Sequence, residues 1–136
     1  ILKAPDVGDF FFEDRSLEFH SRFVFDAEYV IMPRFFMKAT LKPEKEHQYI
    51  EEHDNIYPEV TAGLREAGVV SLYIWKDGLS LFMLIEMREG TDLSVFGEGS
   101  EYRRSSPRVI EWEDKMKSDF HGGWTQIKEI HSSDDW

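Results

Sequence analysis

From Arg34 to Leu41 apolar and polar side chains alternate, with Phe35, Met37, Ala39 and Leu41 on one side. A period of two predicts a half-buried strand. After Lys42-Pro43-Glu44 the period lengthens. Tyr49, Ile50, His53, Ile56, Tyr57, Val60, Leu64 and Ala67 make one stripe at the helical repeat. The helix is expected to open with Pro43 in its first turn and to stop at Gly68. Pro58 removes a backbone bond within it, which predicts a kink or break between Asp54 and Tyr57. Residues 69–75 and 79–87 are β-rich, and Lys76-Asp77-Gly78 between them signals a hairpin. Thr91 is placed to cap a short turn ending near Gly97, and the polar residues 97–105 read as a loop. Ser106 then caps a helix with Pro107 at its first position and Val109, Trp112, Met116 and Phe120 on its inner face. Residues 124–131 read as a last strand.

The order β-α-β-β-α-β predicts an α+β fold of the ferredoxin-like kind, an antiparallel sheet with its helices on one face. The opposite face also carries large apolar residues, among them Trp75, Phe82 and Leu84. Such a face needs a cover. A second copy of the chain would supply one, and the expectation is a homodimer forming a dimeric α/β barrel. Residues 1–31 differ in character, with Phe10, Phe11, Phe12, Phe19, Phe23, Phe25 and Tyr29 among acids at weak periodicity. They are expected to form an N-terminal extension, either an added strand over residues 22–31 or a loosely attached leader, before a domain at residues 32–136.

Charge and composition narrow the partners. The formal net charge is −11. An acidic surface repels phosphate backbones and anionic bilayers, so neither nucleic acid nor a membrane is the expected partner. A neutral small molecule is indifferent to this charge. No apolar run approaches the roughly 20 residues of a membrane span, and the first residues lack the layout of a secretion signal. The chain has no cysteine, which excludes a disulfide framework, a thiolate metal site and a cysteine nucleophile. A cytoplasmic location is the expectation.

The chemistry-bearing residue is His53. Residues four apart stack on one helix face, so Tyr49, His53 and Tyr57 form a ladder toward the core. A histidine there can be a core residue bonded to a carbonyl. It can equally be an acid–base group, since imidazole titrates at about 6.5. The hydroxyls above and below it need polar partners when buried. Glu51, Glu52 and Asp54 point elsewhere on the helix. His20, His47, His121 and His131 lack metal-ligand spacing, and no metal site is expected. Gly97-Glu98-Gly99 lacks the flanking elements of a phosphate loop. Trp112 is a core residue by spacing, yet an indole also stacks on a sugar ring, and Glu113 beside it can bind hydroxyls.

The run Leu41-Lys42-Pro43-Glu44-Lys45, followed by Tyr49, His53, Asp54, Ile56, Tyr57, Pro58, Glu59 and Val60 and then by Glu66-Ala67-Gly68, resembles the L-rhamnose mutarotase family. The likeness spans residues 32–131. It implies a ferredoxin-like subunit paired into a dimeric barrel, and an isomerase that interconverts the α and β anomers of L-rhamnose or a related deoxy-sugar without cofactor or metal. His53 matches the family's proton donor, and Tyr49 matches a sugar-contacting tyrosine one turn earlier. A further sugar-contacting tyrosine of the family falls on Leu72, with Tyr73 turned to the other strand face. A Trp-Trp pair becomes Trp112-Glu113 in the register that also aligns Met116, or Glu111-Trp112 in the alternative one. Tyr57 is expected on the cavity wall or packed beside it. The departures at Leu72 and Glu113 bear on which sugar is preferred. The fold also admits a monooxygenase or haem-handling protein, or a sugar-binding domain without activity.

Overall fold

A computed structural model describes residues 32–136, so the extension and the added strand expected over residues 22–31 lie outside the described residues. The elements run β1 (Arg34–Thr40), α1 (Glu46–Asp54), α2 (Pro58–Ala67), β2 (Val69–Asp77), β3 (Ser80–Met87), α3 (Glu101–Arg104), α4 (Pro107–Lys115) and β4 (Thr125–Ile127). A 3₁₀ turn at Leu93–Phe96 precedes α3, and a π-helical turn at Met116–His121 prolongs α4. The strands form one four-stranded sheet in the order β2-β3-β1-β4, and every neighbouring pair is antiparallel.

Several boundaries depart from the sequence expectation for local reasons. Pro43 does not open the helix. Glu44 sits at φ 68°, a left-handed turn that α-helix cannot include, and α1 starts at Glu46. Its neighbour Lys42 is held by the Phe120 carbonyl, which accepts its backbone N–H at 2.7 Å. The predicted break is present. Tyr57 is extended at ψ 133° because the next residue is proline, and Pro58 starts α2. The hairpin loop is Gly78-Leu79, since Lys76 and Asp77 belong to β2 and Asp77 pairs with Ser80. Gly78, at φ 60°, supplies the left-handed first position of a two-residue turn. Asp92, not Thr91, caps the 3₁₀ turn. The region read as a loop contains α3, capped by the Ser100 hydroxyl. The last strand is only Thr125–Ile127.

Strand alternation separates two faces. Met37, Ala39, Leu81, Met83, Ile85 and Met87 are buried on the inner face. Ala39 and Leu81 join a cluster with Val60, Val109, Trp112 and Phe120 from the helical side, and Met37, Met83, Ile85 and Met87 form a second cluster against Leu64, Leu93 and Phe96. Fully burying such a side chain contributes about 1.5–3 kcal/mol. On the outer face, the register aligns Tyr73, Leu84, Phe36 and Ile127 in one row across all four strands. Trp75 and Phe82 begin the next row. Tyr73 is 49% exposed and Trp75 51%. Among the described residues, no helix is long and apolar enough to cross a membrane.

Candidate active site

Between the inner sheet face and the helices lies a cavity of about 530 Å³, within the usual range of small-molecule sites. Its floor is apolar, with Met37, Leu72, Ile74, Met83 and Ile85 projecting from alternate strand positions. Tyr49 and His53 reach it from α1, Trp112 and Glu113 from α4, and His121 from the end of the π-helical turn.

Tyr49 and His53 are one helical turn apart, which brings their ring centroids to 4.3 Å. Trp112 meets the His53 ring edge-on at 5.1 Å. His53 Nδ1 lies 2.9 Å from the Tyr49 carbonyl oxygen. A carbonyl only accepts, so Nδ1 carries the proton and donates it there. In the neutral ring this leaves the lone pair on Nε2. Burial, above all, holds the His53 pKa below the ordinary histidine value, while the Tyr49 carbonyl, Glu52 and Asp54 oppose that shift. The site therefore contains an anchored imidazole with one nitrogen open to a ligand.

Two buried polar atoms have no partner among the described residues, the Tyr49 hydroxyl and His121 Nδ1. Tyr49 is only 4% exposed, and burial pushes its phenol well above the usual tyrosine range. It stays a neutral O–H donor. An unsatisfied buried donor costs about 1–3 kcal/mol. A ligand bearing hydroxyls would remove that cost. Glu113 is positioned by Tyr102, whose buried hydroxyl donates to Glu113 Oε2 at 2.7 Å. An ion pair between Arg103 and Asp114 at 3.1 Å stands at the polar rim beside Glu98 and Lys117.

The structure thus brings together Tyr49, His53, Leu72, Trp112 and Glu113. It does not bring Tyr57 to the cavity. The Tyr57 hydroxyl donates to Glu111 at 3.1 Å and accepts from Lys115 at 2.8 Å, and the Arg108 guanidinium stacks 3.5 Å from its ring. The ladder stops at His53 because α1 ends at Asp54. Strand parity puts Leu72 in the cavity floor and exposes Tyr73 on the outer face. Sequence reasoning set His121 aside for lack of metal-ligand spacing. The available signal was its place directly after the buried stripe Val109, Trp112, Met116 and Phe120, at a His-Gly-Gly stop. Among the described residues there is no cluster of groups that could hold a metal ion.

A family model described as L-rhamnose mutarotase matches residues 34–134. An L-rhamnose mutarotase from Acidiphilium cryptum (strain JF-5) is 32% identical over 76 residues, covering 54% of this chain and 72% of that protein. The crystal structure of an L-rhamnose mutarotase from Formosa agariphila superposes with a TM-score of 0.57 at 20% identity, over 74% of this chain and 97% of that one. The last of these shows a shared fold.

Proposed function

The chain belongs to the L-rhamnose mutarotase family, and from that premise we propose that it interconverts the α and β anomers of L-rhamnose or a related deoxy-sugar by general acid–base ring opening. Membership makes it an isomerase that acts on sugar anomers. The observation that supports the mechanism is His53, with one nitrogen tied to a backbone carbonyl and the other available in the wall of a sugar-sized cavity. Mutarotation needs one group to protonate the ring oxygen as its bond to C1 breaks. Another must take the proton from the anomeric hydroxyl. His53 supplies one of these transfers, and the Tyr49 hydroxyl orients the sugar. Trp112 offers its indole as a wall for the ring face, Glu113 accepts from sugar hydroxyls, and Leu72 gives an apolar floor where a methyl group is better placed than a hydroxyl. Saturation-transfer NMR on equilibrated L-rhamnose and L-fucose tests this reading. Exchange between anomers should speed up with enzyme concentration. Sugar binding without any acceleration would make the chain a binding domain instead.

The ferredoxin-like reading and the dimeric barrel belong to the same proposal. The strand order β2-β3-β1-β4 and the shared helical face support the first. The outer row of Tyr73, Leu84, Phe36 and Ile127 with Trp75 beside it supports the second, because an apolar band across a whole sheet calls for a cover. A second copy offers an identical band, which is the self-complementarity a two-fold dimer needs. Light scattering should return twice the 16.1 kDa chain mass, and Trp75→Glu should shift the population to monomer by burying an unpaired charge at the contact. A wild-type chain that stays monomeric at high concentration would refute the barrel. The cysteine-free composition suits a reducing compartment, and the cytoplasm is the location assigned in this reading.

A further inference from the structure

We propose that His121 is the second proton-transfer group of the site, acting on the same sugar as His53; this rests on the anomer-exchange reading above. Three observations carry it. First, His121 lines the cavity, and its ring stands edge-on to Tyr49 at 5.6 Å and against Trp124 at 4.8 Å. Tyr49 stacks on His53 at 4.3 Å, so two imidazoles flank one phenol. Second, the rings offer complementary atoms. His53 has its Nδ1 committed to the Tyr49 carbonyl, whereas His121 has a buried Nδ1 with no partner among the described residues. Third, the backbone holds His121 in place. The Phe120 and Ser118 carbonyls accept from Lys42, and the Phe120 side chain is fully buried. Gly122, at φ 70°, turns the chain away directly afterwards. The π-helical turn that ends on His121 is a rare geometry that recurs at functional sites.

The chemistry balances without any further reactant. In opening, protonated His53 gives its Nε2 proton to the ring oxygen as the bond from C1 to that oxygen breaks. Neutral His121 takes the anomeric O–H proton on Nδ1, and the freed oxygen pair forms the C1 carbonyl. The aldehyde rotates about C1–C2, and both transfers reverse on closing from the other face. One proton crosses the sugar and returns. The roles follow from the hydrogen bonding: His53 is anchored through Nδ1 and works through Nε2, whereas His121 has its Nδ1 without a partner among the described residues. Burial lowers the His53 pKa, and the Tyr49 carbonyl, Glu52 and Asp54 offset part of that shift. Burial also lowers the His121 pKa; the backbone at Gly122 opposes that shift, and charge on His53 adds to it. Two neighbouring imidazoles that resist holding two protons are suited to sharing one.

His121→Asn places an amide near the Nδ1 position, where it hydrogen-bonds but transfers no proton. In saturation-transfer NMR it should lower kcat by about 10²- to 10⁴-fold, with KM within about threefold. His121→Ala should lose a similar factor and regain at least about tenfold on addition of imidazole, which a purely structural role would not allow. In wild-type protein carrying ¹⁵N-histidine, the His121 Nδ1 resonance should move when L-rhamnose saturates the site. That measurement decides the question even if both variants unfold. An active wild type with unimpaired His121→Asn, or with an unmoved Nδ1 resonance, overturns the assignment and leaves the family-based function standing. A wild type without anomer exchange overturns both.

Discussion

His53→Ala should slow enzyme-dependent anomer exchange by about 10²- to 10⁴-fold, the usual worth of one positioned acid–base group. That corresponds to about 3–5 kcal/mol of barrier. The effect should fall on kcat, because the truncated side chain leaves the Tyr49 hydroxyl, the Glu113 carboxylate and the Trp112 indole in the cavity. The fold should survive, since His53 is only partly buried and belongs to neither buried core cluster. What is lost structurally is one hydrogen bond to the Tyr49 carbonyl and two ring contacts. The saturation-transfer experiment reads the exchange rate directly, and a thermal melt checks that folding is intact. Undiminished exchange in a folded His53→Ala protein would remove His53 from the mechanism. His53→Gln separates hydrogen bonding from proton transfer. It should stay as slow as the alanine variant if protons move.

The parts of this site visible in the sequence share one property, that each follows from an unbroken local period. Tyr49 and His53 are four residues apart inside a single helix, so their stacking was readable before any tertiary structure. The opposite directions of Leu72 and Tyr73 follow from strand parity in the same way. The break before Pro58 was also legible, but its consequence for Tyr57 was not. A continuous helix would have set Tyr57 above His53. Once residues 55–57 leave the helix, the phase is lost, and Tyr57 finds Lys115 and Arg108 outside the cavity. Ile50 is a smaller instance: it fits the stripe by spacing but is 48% exposed, because Tyr49 is the buried residue of α1. In α3 the four residues are Glu101, Tyr102, Arg103 and Arg104, too few and too charged to show a period, although Tyr102 is buried and anchors Glu113. His121 escaped for a related reason. The π-helical turn widens the repeat, so extrapolating α4 at 3.6 residues per turn misplaces whatever follows Met116.

Phe120 ties that turn to the rest of the core, and its removal should have the largest effect on stability. The side chain is 0% exposed, meets Tyr49 edge-on at 5.7 Å and lies beneath the Lys45 ammonium at 5.6 Å. Truncating a buried phenylalanine to alanine costs about 3–5 kcal/mol, through lost transfer energy and the cavity left behind. A domain of this size has about 5–15 kcal/mol in total. Phe120→Ala should therefore lower the melting temperature by about 10–25 °C, while Phe120→Leu, which refills most of the volume, should cost well under half as much. The backbone carbonyl of residue 120 still accepts the Lys42 amide in the variant, but losing the ring removes the packing that fixes this peptide beside His121. The surviving folded fraction of Phe120→Ala should then lose anomer exchange more steeply than Phe120→Leu when both are assayed well below their melting points. A melting temperature within about 3 °C of wild type for Phe120→Ala would mean that this ring does not hold the turn, and that the placement of His121 depends on something else.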